Sequence, residues 1–200
     1  MKIKAVFFDL GGVIVRTEDP GPRTNLAGSL GLSYAEIDRI VFENESSRQA
    51  SLGLISEAQH WLNIAAVLKQ PDSEAERLKK EFFAGDRVDP DLVKLIRGLR
   101  PAYKIGVISN AWSGMRSWLS DHDLLELFDD MVGSAEVGFA KPDQRIYQAA
   151  LRNLAVKPGE SVFIDDMLTN VEAARKIGMH AIHFNQPGQA INELNSLLEE

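Results

Sequence analysis

Apolar and polar positions alternate along the chain in blocks that favour strands and helices by turns. The first apolar, β-rich run covers residues 3–8 and stops at Asp9. The second covers 103–108 and stops at Ser109 and Asn110, and the third covers 161–164 and stops at Asp165 and Asp166. A short run over 179–184 closes the series, and residues 131–133 form a weaker one between them. Near-continuous apolar runs of this length are the pattern of strands buried on both faces of a parallel sheet. Helical spacing fills the gaps, over 90–99, 112–121, 143–154 and 170–177, the last stopped by Gly178. The tail after Pro187 reads as a final amphipathic helix with Ile191, Leu194 and Leu198 on one face. Strand and helix alternating in this way predict an α/β fold, a Rossmann-like doubly wound parallel sheet.

Residues 17–86 break the alternation. They hold no convincing strand but three helix starts of the capping-box kind, at Ser33/Glu36, Ser56/Gln59 and Ser73/Glu76. Leu26 and Leu30, Ile37 and Val41, and Leu62, Ala65 and Ala66 recur at helical spacing. The expected division is therefore a core of residues 1–16 and 87–200, with a small all-helical insert, 17–86, after the first strand.

Composition narrows the partners. The 200 residues carry a formal charge of −7, which argues against nucleic acid or an anionic membrane as the main partner. There is no cysteine, so thiol nucleophiles, disulfides and thiolate metal sites are excluded. The N-terminal run is interrupted by Asp9 and no small-residue cleavage site follows, and no apolar run approaches the ~20 residues of a membrane span. A cytoplasmic protein is expected.

The strand ends carry the chemistry. Parallel strands present their carboxyl ends along one edge, where open α/β folds bind ligands. Asp9, followed by Gly11 and Gly12, also fits a plain strand-ending turn. With Ser109, Asp165, Asp166 and a lysine in Gly138-Phe-Ala-Lys141-Pro142-Asp143, where proline is expected to open a helix, the edge would gather three carboxylates, a hydroxyl and an ammonium. Clustered carboxylates with all-oxygen ligands suit Mg²⁺. A lysine and a serine suit the non-bridging oxygens of a phosphoryl group.

These segments, in order, resemble the four motifs of the haloacid dehalogenase superfamily. Phe8-Asp9-Leu10-Gly11-Gly12-Val13, Val107-Ile108-Ser109-Asn110, Gly138 to Asp143 with Arg145-Ile146-Tyr147 behind it, and Phe163-Ile164-Asp165-Asp166 with Asn170 span essentially the whole chain. The insert is similar to the family's type-1 helical cap, including the turn Gly53-Leu54-Ile55-Ser56. The resemblance implies a Mg²⁺-dependent phosphatase acting on a small phosphorylated metabolite, as monomer or homodimer. Asp9 would be the nucleophile, forming an aspartyl-phosphate. Ser109, Asn110 and Lys141 would bind the substrate, with Ser109 and Lys141 also serving catalysis. Asp9, the Gly11 carbonyl and Asp166 would hold the metal, with Asp165 on its waters or binding more weakly. Asn170 falls where relatives have a supporting carboxylate or amide.

One departure stands out. Most family phosphatases carry an aspartate two positions after the nucleophile, which protonates the leaving group and then activates water; here that residue is Gly11. Such a group contributes typically ~10²–10⁴-fold in rate. The chain is then slow, or takes a substrate with a good leaving group such as an anomeric sugar phosphate or acyl phosphate, or borrows the proton from elsewhere, or binds without turnover. A non-catalytic phosphoester-binding protein is thus the main alternative. A 2-haloacid dehalogenase is less favoured, because the acidic pair would repel a carboxylate substrate. Tyr147, Trp61 and Trp118 read as packing residues, and His60, His122, His180 and His183 as structural or surface residues. Trp112 is a candidate for the pocket mouth, and Glu43, Asn44 and Arg48 are candidates to face the substrate from the cap.

Overall fold

The computed structural model describes residues 2–199. In chain order the elements are β1 (Ala5–Phe8), β2 (Val15–Thr17), α1 (Gly21–Ser29), α2 (Tyr34–Phe42), α3 (Glu45–Ser51), α4 (Glu57–Val67), α5 (Ala75–Phe82) and β3 (Asp86–Val88). They continue as α6 (Pro90–Leu99), β4 (Lys104–Ser109), α7 (Met115–Asp121), β5 (Asp130–Gly133), α8 (Ser134–Val137) and α9 (Gln144–Asn153). The last four are β6 (Ser161–Asp165), α10 (Leu168–Lys176), β7 (His180–His183) and α11 (Pro187–Glu199).

Five strands form one parallel sheet in the order β5-β4-β1-β6-β7. The period-2 alternation of strand side chains sorts its apolar residues between two layers. Val6, Phe8, Ile105, Val107, Val162 and Ile164 pack with α6, α7 and α11 on one face. Ala5, Phe7, Ile108 and Phe163 pack with α9 and α10 on the other. β1 is buried along its whole length because helices cover it on both sides. Chain order runs outward through β1, β4 and β5, then crosses to β6 and β7, so the strand order, though not the strand direction, reverses between β1 and β6. That is the kind of crevice where doubly wound sheets hold ligands.

The helices between β2 and β3 form a third apolar cluster of Leu26, Ile37, Val41, Trp61, Ile64, Leu78 and Phe82. Ser33 and Glu36 close the expected capping box, and Ser56 caps α4 through the Gln59 N–H. Ser73 instead lies inside a 3₁₀ turn, Asp72–Glu74, and α5 starts behind it without a side-chain cap. Two short strands that the sequence pattern does not predict also border the insert: β2 and β3 pair antiparallel, Thr17 with Asp86 and Val15 with Val88. Each offers only three residues, too few for periodicity to register. The buried Arg23 ties this ribbon to the helices. Its guanidinium lies 3.9 Å over the Phe82 ring, pairs with Asp38 at 2.8 Å and reaches Asp86 at 3.3 Å.

Trp112 is not in a helix. It lies in the loop before α7, which starts at Met115, and its ring packs among Phe42, His60, Trp61 and Phe83 of the insert. Trp118 is only partly buried and stacks on His122, with 3.9 Å between centroids. His60 is fully buried; the Ser46 hydroxyl contacts its Nδ1 at 2.9 Å, and burial holds its pKa below the ordinary 6.5. Two further contacts seat the insert on the sheet layer. The Glu57 N–H donates to the Ser113 hydroxyl, and Gly53 (φ +71°) approaches Ala135 so closely that an added Cβ would meet its carbonyl oxygen at 2.2 Å. Among the described residues, no helix is long and apolar enough to cross a membrane.

Candidate active site

Strand register sets the site. Phe8 pairs with Val107 of β4 and Ile164 of β6, so Asp9 emerges level with Asp165, with Ser109 one step beyond on the other neighbour. The Asp9 N–H donates to the Ile164 carbonyl at 2.8 Å and extends the ladder to the edge. Three parallel strands thereby deliver two carboxylates and a hydroxyl to one place, as the strand-end pattern predicts.

Lys141 arrives from a different element, the segment before α9. Its ammonium lies 2.7 Å from Asp9 Oδ2 and 2.7 Å from Asp165 Oδ2, and its side chain is 1% exposed. An ammonium this deeply buried needs such pairing, since an isolated charge would carry a large desolvation penalty. Pro142 does not open the helix. α9 begins at Gln144, and Asp143 is its N-cap, accepting from the Arg145 N–H.

The two partners of Lys141 differ. Asp165 is fully buried and saturated with donors: the Met167 N–H at 2.7 Å, the Asn170 amide at 3.0 and 3.2 Å, and Lys141. Asn170 is held in turn by α10 and by the Tyr147 hydroxyl, which donates to its carbonyl at 3.0 Å. Asp9 is less committed. Its Oδ1 accepts from the Leu10 N–H at 2.7 Å, and the Ser109 hydroxyl faces the same carboxylate. Burial pushes the Asp9 carboxyl from 3.8 up to about 7, against the downward pull of Lys141. Asp165 adds to the rise by like-charge repulsion.

Asp166, next along, is exposed. Its carboxyl too is raised above 3.8, first by partial burial and then by Asp165. Asp9, Asp165 and Asp166 each present a carboxylate oxygen within 4.8 Å of the others. Gly12 makes room for this arrangement. It has φ +82°, and an added Cβ would lie 2.4 Å from the Asp166 carboxylate. Three hard oxygens converging beside a cleared backbone fit Mg²⁺. Gly11 is different: nothing lies within 4 Å of where its Cβ would be.

Asn110 projects from the end of β4, and its side-chain amide is engaged by the protein itself. The Lys141 N–H donates to Asn110 Oδ1 at 2.6 Å, and Asn110 Nδ2 donates to the Lys141 carbonyl at 3.0 Å. Both ends of that amide are thus engaged by the lysine's backbone. The roles of Gly12 and Asn110 were not separable in the sequence. Paired glycines announce a turn but not which of them faces a carboxylate, and an asparagine after a serine announces only a polar strand end.

On the insert, Glu43, Asn44 and Arg48 line a cleft of about 420 Å³ with Phe42, Ser47 and Ser51. Asn44 caps α3 through the Ser47 N–H, and Arg48 pairs with Glu45 at 2.6 Å. α3, which supplies part of this lining, packs against α8, the helix that precedes the lysine segment.

Comparison with known proteins agrees with this geometry. The family model for haloacid dehalogenase-like hydrolases matches residues 3–178. Phosphatase MT3486 of Mycobacterium tuberculosis is 31% identical over 225 residues, covering 98% of this chain and 96% of its own length. Acyl-CoA dehydrogenase family member 10 of Mus musculus is 41% identical over 71 residues, but that match takes in 36% of this chain and 7% of that much longer protein. A HAD family enzyme of Bacteroides thetaiotaomicron, solved as a complex with magnesium and inorganic phosphate, superposes with a TM-score of 0.78 at 20% identity over 94% of this chain and 98% of its own. With the sheet order, the strand-end carboxylates and the bridging lysine all in place, the chain belongs to the haloacid dehalogenase-like hydrolase family.

Proposed function

We propose that this hydrolase is a Mg²⁺-dependent phosphatase that cleaves a small phosphorylated metabolite through an aspartyl-phosphate on Asp9. The observation that carries this reading is the Lys141 ammonium bridging Asp9 and Asp165 at 2.7 Å each, with Asp166 alongside. The relative named a phosphatase and the Bacteroides neighbour holding magnesium and phosphate support it.

In this mechanism Asp9 Oδ attacks phosphorus and the ester P–O bond breaks. Lys141 and the Ser109 hydroxyl offset negative charge on the nucleophile and the phosphoryl oxygens. Water then attacks the aspartyl-phosphate at phosphorus, releasing inorganic phosphate and regenerating the Asp9 carboxylate. Asp9, Asp166 and the Gly11 carbonyl would hold Mg²⁺, with Asp165 supporting from behind, and the ion would neutralise phosphoryl charge and favour ionised Asp9. Residues 17–86 would serve as the cap over residues 1–16 and 87–200, and the Glu43, Asn44 and Arg48 cleft would meet the leaving group. With glycine at position 11, the proton for that leaving group has no carboxyl source there, which favours substrates whose leaving group departs unprotonated, such as sugar 1-phosphates and acyl phosphates.

The same glycine supports one rival reading, a protein that binds a phosphoester without turnover. A phosphate-release assay with Mg²⁺ over phosphomonoesters, sugar 1-phosphates and acyl phosphates separates the two. Release by the wild type and none by Asp9→Asn supports the phosphatase. Tight binding without release by the wild type supports the rival, and activity retained in Asp9→Asn excludes an Asp9 nucleophile.

A further inference from the structure

We propose that the side chain of Asn110 is the positioning group of the bridging lysine: its amide acts on the reaction through the backbone of Lys141. The inference rests on the phosphatase reading for its kinetic arm but not for its chemical one.

Lys141 lies in a segment outside any helix or strand, between Val137 and Gln144. Regular secondary structure therefore does not fix its backbone. Both of its main-chain polar groups are taken by a single side chain, the N–H at 2.6 Å and the carbonyl at 3.0 Å from the Asn110 amide. A primary amide is suited to this task because it offers one acceptor and a donor in one plane, matching the N–H and C=O of one residue. Asn110 directly follows Ser109, so the same strand end that presents the hydroxyl also clamps the lysine. The adjoining Ala111 carbonyl accepts from the Ser134 hydroxyl and the Ala135 N–H, which anchors the clamp's own base to α8.

The consequence is geometric. The Lys141 ammonium must meet two carboxylates from two strands at once, and small displacements of positioning groups are costly in catalysis. A substrate contact and a clamp predict different kinetics. Loss of a contact made equally in ground and transition states raises KM and leaves kcat unchanged, whereas misplacing a group that acts on the transferring phosphoryl lowers kcat.

The test uses the full chain and Asn110→Ala, with Asn110→Asp as a second variant that keeps only the acceptor for the Lys141 N–H. Acetylation by N-hydroxysuccinimide acetate is read at each lysine by peptide mass spectrometry. In the wild type Lys141 should resist labelling while Lys4, whose side chain is 57% exposed, reacts readily. In Asn110→Ala the Lys141 rate should rise by roughly tenfold with the Lys4 rate unchanged, and it should also rise in Asn110→Asp, which sets an acceptor against the Lys141 carbonyl. In the kinetic arm Asn110→Ala should lose roughly 10- to 100-fold in kcat, by a similar factor on every substrate whatever its leaving group. Unchanged Lys141 labelling in both variants, or a loss confined to KM that varies with leaving group, overturns the proposal. An inactive wild type would overturn the phosphatase reading instead, and the labelling would still decide the role of Asn110.

Discussion

Removing the Lys141 ammonium should destabilise the protein as well as silence it. Lys141→Ala leaves two buried carboxylates, Asp9 and Asp165, facing each other where one cation had bridged them at 2.7 Å to each. Breaking a buried pair by deleting one partner costs about 3–5 kcal/mol. At about 2–4 °C per kcal/mol for a chain of this size, metal-free Lys141→Ala should melt roughly 6–20 °C below the wild type. The pH dependence has a definite sign. A carboxyl raised in the folded state carries a penalty that is absent below its unfolded value of 3.8 and complete above its folded value, about 7 for Asp9 in the wild type. Loss of Lys141 raises the folded value further. The extra Asp9 penalty of the variant therefore opens only above about pH 7, so the gap in melting temperature should be wider at pH 8 than at pH 6. Mg²⁺ should narrow it, because carboxylates no longer neutralised by Lys141 bind the cation more tightly and so gain more stability from it than the wild type does. Differential scanning calorimetry of both proteins at pH 6 and 8, with chelator and with Mg²⁺, provides the comparison. A gap below about 1 °C, or one that closes as pH rises, would refute the bridging role of this lysine.

Gly11→Asp should be accommodated, since nothing lies within 4 Å of the added Cβ. It should raise kcat by up to roughly 10²–10⁴-fold on alkyl phosphates, with little change on acyl phosphates that need no proton; equal effects on both classes would remove the reading of position 11 as the missing acid. Gly12→Ala should abolish the response of melting temperature to Mg²⁺, because its Cβ would lie 2.4 Å from the Asp166 carboxylate; an unchanged Mg²⁺ response in a thermal melt counts against Asp166 as a metal ligand. His60, held below its ordinary 6.5 mainly by burial, contributes stability that is present above the unfolded value and lost as pH falls through the folded one. His60→Gln should therefore flatten the wild-type fall in melting temperature between pH 7 and 5, and a parallel fall in both proteins would place that sensitivity elsewhere.

The sheet was largely legible in the sequence because β1, β4 and β6 are buried on both faces and leave unbroken apolar runs. The convergence of Asp9, Ser109 and Asp165 followed from parallel topology alone, since the strands' carboxyl ends must share an edge. What escaped was set by tertiary contact. The β2–β3 ribbon is three residues a side and carries no period. Ser73 has the capping-box spacing, yet the chain at that point folds as a 3₁₀ turn. Trp112 looked like a helix residue by spacing, but its ring packs against the aromatic cluster of the insert instead of continuing α7. The difference between Asp165 and Asp166 was likewise invisible: the two are adjacent, but β6 turns one into the protein against Lys141 and Asn170 and leaves the other at the edge.

The central claim is that Asp9 becomes covalently phosphorylated, and trapping the enzyme in turnover tests it directly. Wild-type protein is mixed with Mg²⁺ and an acyl phosphate, quenched in acid and digested, and the peptides are analysed by mass spectrometry. The account predicts one phosphoryl group on the peptide containing Asp9, assigned to Asp9 by fragmentation and absent from Asp9→Asn. Turnover with no phosphoryl group on that peptide, or with the group on another residue, would contradict it.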